Sequence, residues 1–110
     1  MDYLGEFEQI VMLAILRLRE NAYGMRIRTE IKDVGGRNAS LGAVYTTLER
    51  LEDKGMLSSK VGEATESRAG RAKKYFKVTA AGAAALRASL RSTESLKQGL
   101  GLILGWSYGF

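Results

Sequence analysis

Apolar residues return at helical spacing from the start of the chain. Leu4, Phe7, Val11, Ala14 and Leu18 fall on one face, which predicts a helix over Leu4 to Leu18. Ile10, Met12, Leu13, Ile15 and Leu16 make its second half apolar nearly all the way round. A surface helix needs only one apolar stripe, so this helix is either wrapped by its own domain or turned partly toward a second subunit. Asn21 suits a cap, and a short second helix follows with Ile27, Ile31 and Val34 as its apolar line and Gly35-Gly36 as its stop. Ser40 caps a third helix, where Leu41, Val44, Leu48 and Leu51 stand at offsets 0, 3, 7 and 10. Gly55 ends it. The period then changes. Met56 to Val61 and Lys74 to Thr79 are strand-like, and the polar, glycine-containing stretch Gly62 to Lys73 joins them as the long, mobile tip of a hairpin. Thr79 caps a fourth helix whose alanines favour helicity. Leu86 and Leu90 carry its apolar line toward Leu96 and Leu100, with a weaker stretch at Thr93.

Composition narrows the chemistry more than the fold. A length of 110 residues allows one small domain with a helical extension. The chain has no cysteine and no histidine, so disulfides, thiol nucleophiles, Cys- or His-based metal sites and the usual imidazole base are excluded. Neither a metal nor a cofactor is expected, and no nucleotide-binding loop is present. Asp, Glu, Lys and Ser form no constellation of base, nucleophile and stabiliser, so an enzyme is not expected. No basic segment followed by an apolar run opens the chain, and no apolar stretch reaches the roughly 20 residues of a membrane span. A cytoplasmic protein without membrane insertion is expected.

The net charge of +5 favours a polyanionic partner, and its distribution says more. From Ser67 to Thr93 there are seven basic residues and no acidic ones. Arg68, Arg71, Lys73 and Lys74 lie at the hairpin tip or on its descending arm, where long cationic side chains can reach phosphate. With its leucine line buried, the third helix offers Gly42, Ala43, Thr46 and Thr47 on its other side, and Arg50 one turn later. Small residues permit close approach to base edges, and Thr and Arg can read or grip DNA. The amides at the Ser40 end can face phosphate. Short helix, glycine turn, third helix and basic hairpin describe an α+β fold: a winged helix-turn-helix with three N-terminal helices, a two-stranded wing and a C-terminal helix. Its third helix would enter the major groove of double-stranded DNA, with the wing on phosphate or the minor groove.

The residues also resemble the PadR family of bacterial transcriptional regulators, from about Leu4 to Leu90. The likeness rests on the apolar first helix, the segment from Asn21 to Ile27, the run from Ser40 to Gly55, and Gly70 through Thr79 to Gly82. Tyr23 and Gly24 match the family's aromatic-glycine pair, Gly42 and Tyr45 its recognition-helix motif, and Arg71, Lys73 and Lys74 its basic approach to the second wing strand. The Tyr23 hydroxyl can reach a phosphate. Tyr45 either does the same or only braces the fold. The resemblance implies a homodimeric repressor on an inverted-repeat operator, with the helix after the wing packed on the partner's N-terminal region. Phe7, Ile10, Leu13, Leu86 and Leu90 are the corresponding dimerisation residues. It also admits an aromatic or hydrophobic small-molecule effector.

Residues 1–79 are thus expected to form the DNA-binding domain, 80–98 the dimerisation helix, and 99–110 an apolar, glycine-rich tail. That tail extends the dimer helix, folds back over the core or meets another partner. Trp106 would either pack or line an aromatic effector site. The competing reading is a winged-helix assembly module without specific DNA recognition.

Overall fold

The computed structural model describes residues 3–62 and 72–105. Its elements follow in the order α1 (Glu6–Leu18), a 3-10 turn (Arg19–Asn21), α2 (Gly24–Asp33), α3 (Leu41–Asp53), β1 (Leu57–Val61), β2 (Lys74–Val78), α4 (Ala80–Lys97) and α5 (Gly101–Leu104). The expected α+β winged helix-turn-helix is present: three helices, an antiparallel hairpin and a long C-terminal helix. The hairpin tip that the sequence suggested to be mobile, with Arg68 and Arg71, lies mostly outside the described residues, as does Trp106.

One core joins the first three helices to the wing. Val11, Met12 and Ile15 of α1, Ile27 and Ile31 of α2, and Val44, Leu48 and Leu51 of α3 are buried together with Leu57, Phe76, Ala85 and Leu86. Burying one such aliphatic side chain contributes about 1.5–3 kcal/mol, so the leucine line of α3 is a principal support of the domain. The hairpin pairs Leu57 with Val78 and Ser59 with Phe76, which turns Leu57 and Phe76 to the same, inner face. On its other edge β2 meets the chain before α2. Tyr23 bridges Tyr75, and the Phe76 amide donates to the Ala22 carbonyl at 2.8 Å. This third, one-residue strand ties the wing to the start of α2.

Three local expectations change. Asn21 belongs to the 3-10 turn, and Tyr23 occupies the N-cap of α2 without a side-chain cap hydrogen bond. Val34 is 57% exposed: it lies at the end of α2, past the last turn covered by α1 and α3. Leu86 is only 4% exposed and lies in the protomer's own core, so it is not free to serve as a dimer contact. Along the first helix Val11, Met12, Ala14, Ile15 and Leu18 are buried, while Leu13 and Leu16 are exposed.

α4 is rooted at a tight junction. Thr79 caps it by accepting from the Gly82 amide at 3.0 Å, while its hydroxyl donates to the Gly55 carbonyl at 2.7 Å. The Thr79 amide donates to the Met56 carbonyl. Gly82 lies directly against that carbonyl, and a Cβ there would stand 2.1 Å from it. Further along, buried Ser89 accepts from the Leu4 amide at 2.9 Å. Beyond Ser89 the helix leaves the body: residues 90–96 are all exposed, and the molecule measures 53 Å along its longest axis against 21 Å along its shortest.

Candidate nucleic-acid interface

The third helix begins at Ser40, whose hydroxyl accepts from the Ala43 amide at 3.0 Å. A cap of this kind contributes about 1 kcal/mol and leaves other first-turn amides directed out of the helix end. Because Val44, Leu48 and Leu51 face inward, the 100° step of the helix turns Gly42, Thr46, Glu49 and Asp53 outward, with Ala43 beside them. All five are exposed. Thr47 is not: it is 3% exposed, because it stands beside Leu51 at the edge of the buried side. It cannot meet a base edge without unseating the helix, and the sequence-based expectation for it is corrected accordingly. Glu49 and Asp53 had not been picked out, although offsets of seven and eleven from Gly42 put them on its face.

Tyr45 is exposed at the edge of this surface, and its ring end lies against Gly24. A Cβ on Gly24 would approach the Tyr45 Cζ and hydroxyl oxygen to 2.5 Å. The glycine of the aromatic-glycine pair therefore seats Tyr45, which links the start of α2 to the first turn of α3. Arg28 fixes the intervening turn, its Nε donating to the Ala39 carbonyl at 3.0 Å.

At the base of the wing, Tyr23 meets Tyr75 edge to face with ring centroids 5.6 Å apart. The Lys73 ammonium sits 4.3 Å from the Tyr23 ring centroid, a cation–π geometry that positions the charge without neutralising it. Lys74 is more committed. Its ammonium lies 3.4 Å from Glu52 and over the Phe76 ring. Glu52 also accepts a hydrogen bond from the Ser59 hydroxyl. That bond holds its carboxyl below the ordinary range against the opposing effect of burial, with help from Lys74. The result is a fastening between the end of α3 and both wing strands.

Arg50, expected at phosphate, is likewise engaged within the protomer. Its Nε donates to Glu8 Oε2 at 3.1 Å, and the Lys54 ammonium reaches the same oxygen at 3.2 Å. Glu8 is buried in the first turn of α1, and its Oε1 accepts from the Gly5 amide at 2.8 Å. Burial alone would raise the Glu8 pKa, but the Gly5 amide, Arg50 and Lys54 outweigh it and leave the group below its ordinary value. A carboxyl with a depressed folded pKa stabilises fully above its unfolded value of about 4.3 and loses that contribution as pH falls through the folded value. Glu8→Gln is expected to lower stability by about 1 kcal/mol at neutral pH, given that both cations are half exposed. It should also flatten the decline below about pH 4, as measured by denaturant unfolding across pH. An undiminished decline would show that Glu8 is not its source.

Exposed apolar residues lie on one side of α1 and along the C-terminal arm. Phe7 and Ile10 pack partly against the core, whereas Leu13, Leu16 and Leu90 are exposed. Leu96 is 75% exposed and Leu102 82% exposed, with Leu100, Ile103 and Leu104 exposed beside them. Leu96 continues the side of α4 on which Gly82, Ala85 and Ser89 are buried, but is itself exposed. Among the described residues, no helix is long and apolar enough to cross a membrane.

Comparison with known proteins agrees with the fold. The profile of the transcriptional regulator PadR-like family matches residues 12–88. A PadR family transcriptional regulator from Eggerthella lenta is 28% identical, with 93% of this chain and 88% of that one covered and a TM-score of 0.69. A PadR-like transcription factor from Bacteroides fragilis is 29% identical over 88% of each chain, with a TM-score of 0.71. A PadR family regulator from Clostridium difficile, at 23% identity and a TM-score of 0.68 over 89% of this chain and 98% of that one, shares the fold. No curated protein sequence matches the chain.

Proposed function

Because this chain belongs to the PadR-like family of transcriptional regulators, and so is a DNA-binding regulator, we propose that it acts as a homodimeric repressor occupying an inverted-repeat operator. The observation that carries this reading is the outward start of α3, with Gly42, Ala43 and Thr46 exposed over a fully buried Val44–Leu48–Leu51 line. In this reading those three residues approach base edges in the major groove, and the amides around Ser40 face a phosphate. Glu49 and Asp53 repel the backbone at the other end, so the helix enters by its N-terminal turns. Tyr45 borders the surface. Lys73, held on the Tyr23 ring, carries the wing's charge to phosphate, and Arg68 and Arg71 extend the same basic stretch in sequence.

Residues 1–79 then form the reading domain, 80–98 the dimerisation arm, and 99–110 its apolar extension. Occupancy blocks transcription with no bond made or broken. Selection of bound duplexes from a random pool, followed by a stoichiometry measurement, tests specificity, symmetry and dimerisation together. Thr46→Arg is expected to cost about 1–3 kcal/mol on the selected duplex and little on a scrambled one. Lys73→Gln should weaken both alike and reduce the salt dependence by about 0.9 per protomer in log–log slope. Equal losses for the two variants would remove the division between reading and gripping. A failure to enrich any duplex at low ionic strength would favour an assembly module instead.

A further inference from the structure

Most of the cations expected to face DNA lie on the wing; Arg50 of α3, expected there too, is instead drawn with Lys54 onto α1. Arg50 and Lys54 stand one helical turn apart, and both converge on a single oxygen of Glu8, at 3.1 and 3.2 Å. Glu8 itself is buried and anchored through its other oxygen to the Gly5 amide. The outward face of the same half of α3 shows Glu49 and Asp53, for which no ion pair is found among the described residues. The C-terminal half of α3 therefore presents carboxylates outward while its cations are drawn sideways onto α1.

We propose that Glu8 is a specificity-determining positioning residue, which pins the second half of α3 to α1 and withholds Arg50 and Lys54 from DNA phosphate. The proposal rests on the DNA-binding reading above. Its physical basis is that phosphate contacts are blind to sequence. Each cation released to the backbone strengthens every duplex alike, and a loosened α3 reads bases less well. Both changes shrink the ratio between cognate and unrelated DNA. Glu8 achieves this without touching DNA, through the helix whose orientation it fixes.

The test uses the full chain, the duplex that the wild-type protein selects from a random pool, and a scrambled duplex of equal composition, titrated across salt. Glu8→Gln is expected to tighten binding to the scrambled duplex at low salt and to steepen its log–log salt dependence by about 1.8 per protomer, about 0.9 for each of the two cations. The selected-to-scrambled affinity ratio should fall about tenfold, an effect the size of one lost base contact. Arg50→Gln should leave the salt slope unchanged, because that side chain is not on phosphate, while still lowering the ratio. Proportional weakening of both duplexes by Glu8→Gln at an unchanged slope would overturn the proposal and mark a purely structural residue. A slope reduced by about 0.9 per protomer in Arg50→Gln would also overturn it, by placing Arg50 on the backbone. Should Glu8→Gln fail to fold, Arg50→Gln decides alone. A wild-type protein that does not distinguish the two duplexes defeats the regulatory reading itself, and that is seen before any variant is measured.

Discussion

Gly82→Val is expected to lower stability by about 3 kcal/mol, a fall of roughly 12 °C or more in the thermal midpoint for a domain of this size. The cause is where the added Cβ would go. It would stand 2.1 Å from the Met56 carbonyl oxygen, 3.0 Å from its carbon and 3.1 Å from the Met12 Cε. A backbone carbonyl cannot rotate aside as a side chain can, and this one is already held by the Thr79 amide. The helix must therefore retreat, loosening its own cap and the packing of Ala85 and Leu86. Gly24→Ala is the informative contrast, since its clash is with the end of the Tyr45 ring. That ring is partly exposed and can swing, so the expected cost is only about 1 kcal/mol. Thermal unfolding followed by circular dichroism compares the two directly. A Gly82 variant no worse than the Gly24 variant would mean that the α4 junction yields more readily than its geometry implies.

Charging the arm is expected to have the largest effect on function. On the proposed homodimer, Leu90→Glu together with Leu96→Glu should yield a folded monomer whose affinity for the selected operator is at least about a hundredfold lower, because two linked half-site contacts would become one. Both leucines are exposed in the protomer, so its own stability should change by no more than about 0.5 kcal/mol per site. Such an exposed apolar line, continuing beyond the last buried turn of α4, is unfavourable unless a second surface covers it. In a symmetric pair the two reading helices would lie about 34–36 Å apart, one turn of DNA. Light scattering coupled to gel filtration gives the mass, and the same samples serve for titration with DNA. A monomeric wild-type protein at tens of micromolar, or an unchanged mass in the double variant, would remove the arm as the dimer contact.

The elements themselves were legible because each has a clean local signature. The leucine line of α3, the caps at Ser40 and Thr79, and the switch from helical to strand-like pattern after Gly55 all act over a few residues. The burial of Thr47 was equally available, since it stands about 40° from Leu51 on the helical wheel, yet a small polar residue invites an outward reading. What could not be read was pairing across long separations. Nothing local says that Glu8 will meet Arg50, 42 residues away, or that Lys74 will turn to Glu52. Nor does it say that Tyr23, at the N-cap of α2, will bridge Tyr75. Those contacts depend on how α1, α3 and the wing come together, and they divide the basic residues between holding the fold and meeting DNA.

Thr79 has a mechanical consequence. Its amide and hydroxyl grip the carbonyls of Met56 and Gly55, at the exit of α3, while the same hydroxyl starts α4. The long arm has no slack at its root. In the proposed dimer, torque applied to its far end by a second protomer would be delivered to the final turn of α3 instead of dissipating in a hinge.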